Sequence, residues 1–69
     1  MRSNDDIVQQ TILLAGAFYS AQGYTHRDGF RYWESPHPQE RLMWELACLA
    51  QVELTDTDPN DALAELEDL

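Results

Sequence analysis

The sequence contains no lysine. Its four basic residues, Arg2, Arg27, Arg31 and Arg41, stand against thirteen acids, for a net charge of −9. Nucleic acids and anionic membrane surfaces are bound through dense positive charge, so neither is expected to be a direct target of this chain. Cysteine is almost as scarce. The single Cys48 rules out a disulfide within the chain, and a lone thiol inside an apolar helical run suits a reducing compartment, with the cytoplasm as the default. No apolar run approaches the ~18 residues of a membrane span. The opening MRSNDDIVQQ has acids where a secretory signal would need a basic region followed by an apolar block.

Length sets a further limit. A chain of 69 residues makes one small helical domain at most, and it hides only about 60% of its unfolded surface on folding, so its core needs every apolar contact it can make.

What is present divides into four stretches, and the pattern predicts an all-α fold. Residues 4–22 form the first helix. Ser3, Asn4, Asp5 and Asp6 supply a cap and suit the positive end of a helix dipole, and Gly23 supplies a stop. Ile7, Leu14 and Phe18 lie on one line of this helix, and Val8, Ile12, Ala15 and Tyr19 on the next. Residues 38–54 form the second helix, antiparallel to the first, with Ser35, Pro36, His37 and Pro38 marking its start. Leu42, Leu46 and Leu49, beside Met43, Ala47, Ala50 and Leu54, make a broad apolar face expected to meet the first helix. Trp44, Cys48 and Val52 form a second stripe that two helices alone cannot bury. Either the C-terminal segment folds over it or a second chain does, in which case these three are an oligomer interface. A short helix over residues 59–68, started by Asp58-Pro59, carries a thin line of Ala62, Leu63, Leu66 and Leu69 and is too short to stand alone.

The connector, residues 23–37, concentrates the unusual chemistry. It holds four of the seven aromatics, both histidines and two of the four arginines. Asp28-Gly29 between β-formers is a hairpin-turn signal, so residues 24–33 read either as a small two-stranded hairpin or as an extended loop with one tight turn. Phe30, Tyr32 and Trp33 can close one end of the core. Tyr32 and Trp33, with Arg27 and Arg31, are also the residue types that dominate interface hot spots.

Catalytic and metal chemistry find no foothold. His26-Arg27-Asp28 resembles the start of a kinase catalytic loop, but Trp33 stands where an asparagine is needed, and the chain is far too short for that fold. Asp56, Asp58, Asn60 and Glu67 match positions 1, 3, 5 and 12 of a calcium loop. However, Asp61 replaces the turn glycine, and a capped helix start explains the same residues. His26 and His37 lack partners at zinc-site spacing. No enzyme activity, cofactor or metal is expected.

Two functional classes remain. In the first, the chain is a small acidic regulator or inhibitor that binds a protein through a basic surface. Glu53, Asp56, Asp58, Asp61 and Glu65 would supply the charge, and Arg27, Arg31, Tyr32 and Trp33 the specific contact. From Gln39 onward the balance is −8, and no base follows Val52. Rows of carboxylates there could stand where a phosphate backbone would lie. In size and charge the chain is similar to phage-encoded inhibitors of host nucleic-acid machinery, including anti-restriction and anti-CRISPR proteins; the similarity is one of composition and assigns no residues. In the second class the acids only solvate the surface, and the chain is a structural or assembly subunit, a helical homodimer joined through Trp44, Cys48 and Val52.

Overall fold

The computed structural model describes residues 3–25, 27 and 29–68. Among these the fold is all-α, with helices α1 (Asn4–Ala21), α2 (Pro38–Thr55) and α3 (Pro59–Glu67) and a single 3₁₀ turn, Tyr32–Glu34, in the connector.

The helix ends follow from local chemistry. The Ser3 hydroxyl accepts from the Asp6 amide at 3.1 Å, satisfying one of the free N–H groups of the first turn of α1. At the other end Gly23 takes a left-handed conformation, φ +91°, and its N–H returns to the Ser20 carbonyl at 2.9 Å. α2 opens on Pro38, whose missing N–H costs nothing there, and closes on Asp56, which adopts the left-handed region at φ 56° and donates its N–H to the Val52 carbonyl. The Asp58 carboxylate accepts from the Asn60 amide at 2.9 Å and starts α3.

α1 and α2 run antiparallel. Gln22, just past the end of α1, meets Gln39 and Met43 near the start of α2, while Thr11 in mid-α1 meets Gln51 near the end of α2. α3 returns to pack on α1 and on part of α2. The core gathers Ile7, Val8, Ile12 and Ala15 from α1, Met43, Trp44, Ala47 and Cys48 from α2, Tyr32 from the connector and Ala62 from α3. Ala15 and Ala47 are both fully buried, small side chains that let the helices approach closely.

The face of α2 that turns inward differs from the one leucine spacing suggests. Glu40, Met43, Trp44, Ala47, Cys48 and Gln51 are buried, whereas Leu42, Leu46, Leu49 and Leu54 are exposed. The physical reason lies in α3. Trp44 and Cys48 can be covered by a third helix and by the connector, and α3 does cover them: the Trp44 indole N–H donates to the Asn60 side-chain carbonyl at 2.9 Å, and its ring lies 4.5 Å from that of Trp33. Thus Trp44 and Cys48, 3% and 5% exposed, are core residues of one chain rather than a seam between two; Val52 stays 38% exposed. The polar residues on the inward face are satisfied there. The Thr11 hydroxyl donates to the Ile7 carbonyl at 2.7 Å and accepts from Gln51 at 3.3 Å.

No strand occurs among the described residues, so the connector follows the loop alternative and not the hairpin. Tyr24 stacks on Tyr19, ring centroids 4.7 Å apart, instead of pairing with Tyr32, and the 3₁₀ turn carries Tyr32 inward. Gly29 sits at φ +70°, a conformation glycine adopts without strain; Asp28 and His26 lie outside the described residues.

Candidate protein-binding surface

The expected site residues fall into three environments. Tyr32, expected at a binding surface, is fully buried, with Phe30 edge-on at 4.9 Å and Tyr19 at 6.1 Å; it plugs the core and cannot meet a partner. Trp33 is half-buried against Trp44. Arg27 and Arg31 are exposed, but each is drawn back onto the chain. The Arg27 guanidinium lies 3.9 Å above the Phe30 ring and 3.5 Å from Glu40. Arg31 lies 5.2 Å from the Trp33 ring centre and bridges Glu34 at 3.2 Å and Glu67 at 3.4 Å.

Glu40 is the organising group of the connector, and the sequence reading gave it no role. It is buried in the first turn of α2. Its carboxylate accepts from the Ser35 hydroxyl at 2.5 Å, the Tyr19 hydroxyl at 3.1 Å and Arg27, so one side chain joins α1, the connector and α2. Ser35 in turn accepts from the His37 amide, and its carbonyl accepts from Arg41 at 2.7 Å. The signal was available: an acid in register with Met43 and Ala47 on a helix face needs a partner if that face is buried.

The Ser35 hydrogen bond holds the Glu40 carboxyl below its ordinary value of 4.5, helped by Tyr19, His37 and Arg27 and opposed by burial. A lowered folded-state value means that this group's contribution to stability is full above about pH 4.5 and is lost as pH falls through the lowered value. Glu40→Gln should therefore lower the thermal midpoint at pH 7, and the gap to wild type should close as the pH is taken towards 3. A gap independent of pH in melts followed by circular dichroism would count against the clasp.

The acids behave differently. Glu53, Asp56, Asp58, Asp61 and Glu65 are all exposed, and among the described residues no arginine forms an ion pair with any of them. Asp58 serves as the α3 cap, and Glu65 accepts from the Asn4 side chain. On α3, Asp61, Glu65 and Asp68 recur at helical spacing on the exposed face, opposite buried Pro59 and half-buried Leu63 and Leu66. The calcium-loop pattern is dispersed: Asn60 binds Trp44, Glu67 binds Arg31, and Asp58 caps the helix. Among the described residues no three His, Cys, Asp or Glu side chains cluster as a metal site would require. Burial, with Asp58 and Glu45 nearby, pushes the Cys48 thiol up to about 12, which keeps it protonated and unreactive.

Arg27, Arg31 and Arg41 are thus engaged within the chain, Arg31 reaching Glu67 at the end of α3, while Glu53 and Asp56 at the end of α2 and Asp61 and Glu65 on α3 have no cation paired to them among the described residues.

No family model matches the chain, and no curated protein or solved structure matches it either. Among the described residues no helix is long and apolar enough to cross a membrane.

Proposed function

We propose that this chain is a protein-binding regulator, acting as an inhibitor, that docks its acidic C-terminal half on the basic surface of a nucleic-acid-handling partner. The observation that carries this reading is the set Glu53, Asp56, Asp61, Glu65 and Asp68: exposed carboxylates with no cation paired to them among the described residues. An acid with no cation paired to it gains most from a basic surface brought from outside, and such a field speeds encounter and repels anionic competitors. A partner built to hold phosphates would receive these carboxylates in their place.

The test is capture from nuclease-treated lysate of the source cell, followed by association kinetics on the purified partner. Glu53→Gln, Asp56→Asn, Asp61→Asn and Glu65→Gln, combined, leave the Asp58 cap intact. This variant should fold normally and lose about tenfold or more in association rate at low salt, with the wild-type advantage fading as salt is raised. Nucleic acid should displace the wild-type chain. A captured partner that binds both forms equally and ignores nucleic acid would refute the reading.

A further inference from the structure

The outward face of α2 carries an apolar stripe that the folded chain leaves uncovered. Leu42, Leu46, Leu49 and Val52 are 41, 38, 61 and 38% exposed and recur at i, i+4, i+7 and i+10, on the side of the helix away from Met43, Ala47 and Gln51. Scattered exposed leucines such as Leu13 are ordinary, but four large aliphatic side chains in one row are not. Towards α3 the row opens into a shallow groove of about 210 Å³, lined by Leu49, Val52 and Cys48.

The border of the stripe says what would cover it. Glu45 and Glu53 flank it on α2, and Asp58 stands at the groove's edge; none is paired with an arginine among the described residues. The nearest base, Arg41, directs its guanidinium to the Ser35 carbonyl. A second copy of this chain would bring Glu45 and Glu53 against the same acids and bring together two chains of net charge −9. We infer that the stripe is the seat of a partner helix whose own apolar row is bordered by lysine or arginine, laid along α2. This rests on the proposed acidic docking function and adds to it a specific contact: charge brings the partner in, and the leucines hold it.

The probe is a synthetic amphipathic peptide of about 18 residues, long enough to span α2, with leucines at i, i+3, i+4 and i+7 and lysines on both borders. Two controls accompany it: one with glutamates on the borders, and one keeping the lysines but with serine for leucine. Titration into the isotopically labelled chain should shift the amides of residues 42–53 with the leucine–lysine peptide alone. Leu46→Gln with Leu49→Gln, which changes no charge and sits on the surface, should weaken binding about tenfold or more while the circular dichroism spectrum is unchanged.

Equal binding of the serine–lysine peptide, or of the double variant, would overturn the seam yet leave the acidic docking surface standing. Glu45→Gln with Glu53→Gln should weaken the leucine–lysine peptide several-fold at low salt, and binding left intact by that pair would overturn the basic border of the proposed partner. Self-association of the free chain in sedimentation equilibrium, lost in the double variant, would assign the stripe to a second copy and overturn the proposal. So would failure of all three peptides to bind.

Discussion

Replacing Trp44 with alanine should cost about 3–5 kcal/mol, because a large aromatic buried among helices leaves a cavity that its neighbours cannot close. Three supports go at once: the packing of α2 on α3, the hydrogen bond to Asn60 and the ring contact with Trp33. At roughly 0.05–0.15 kcal/mol per residue, a chain of 69 residues has a total stability of only about 3–10 kcal/mol, so the loss is comparable with the whole. The expected result is a chain largely unfolded at 25 °C, or one whose melting point falls by on the order of 20 °C. Trp44→Phe keeps most of the ring contact and gives up the N–H, and should cost far less. Chemical denaturation of the three proteins decides the matter. A Trp44→Ala chain as stable as wild type but changed in oligomeric state would mean that the indole belongs to an interface after all.

The second large effect is at Tyr32, where two substitutions should move in opposite directions. Tyr32→Ala removes a fully buried ring from beneath Phe30 and beside Tyr19 and should cost about 3–5 kcal/mol, as other large aromatic truncations do. Tyr32→Phe keeps the ring and removes a hydroxyl that is buried with no hydrogen-bond partner among the described residues. A buried hydroxyl that gains no bond on folding forfeits its hydration, so its removal should be neutral or stabilise by about 1 kcal/mol. Burial likewise raises the pKa of the Tyr32 phenol above its ordinary value, with the Glu40 charge adding to the effect. Denaturant midpoints compared at equal slope test both arms. A clear loss of stability in Tyr32→Phe would mean that the hydroxyl has a bonding role.

Much of the fold was legible because caps and breakers are local. Ser3, Gly23, Pro38 and the Asp58-Pro59 pair act through the backbone groups next to them, and those groups are specified by the same few residues. The inward face of α2 was not legible, because that helix is apolar on two sides. Counting leucines favours the Leu42 side, but the outcome depends on where α3 and the connector can reach, and on whether Glu40 and Gln51 find partners. Both do, Glu40 through Tyr19 and Gln51 through Thr11, 21 and 40 positions away in sequence, separations that no local pattern reports. The loop alternative prevailed over the hairpin for a related reason. The Asp28-Gly29 signal describes a turn, but a hairpin also needs the residues on either side of it to lie alongside one another, and Tyr24 and Tyr32 are better satisfied elsewhere, one on Tyr19 and the other in the core. Of the residues expected to bind a partner, the acids could be placed on the surface from composition alone. Tyr32 could not be told from its neighbour Trp33 until the 3₁₀ turn set which one points inward.

Asp56 closes α2 in a conformation better suited to glycine, and it places a negative charge beside the negative end of that helix. Glu67 and Asp68 do the same at the end of α3, and none of the three helices has a basic residue in its last turn. An aspartate codon reaches asparagine or glycine by one base change, and either residue would relieve the conformational and electrostatic cost together. A lineage selected for folding alone would have a short path away from the acid at this position. At position 56 folding and surface charge therefore oppose one another: the residues that would best close the helix carry no charge.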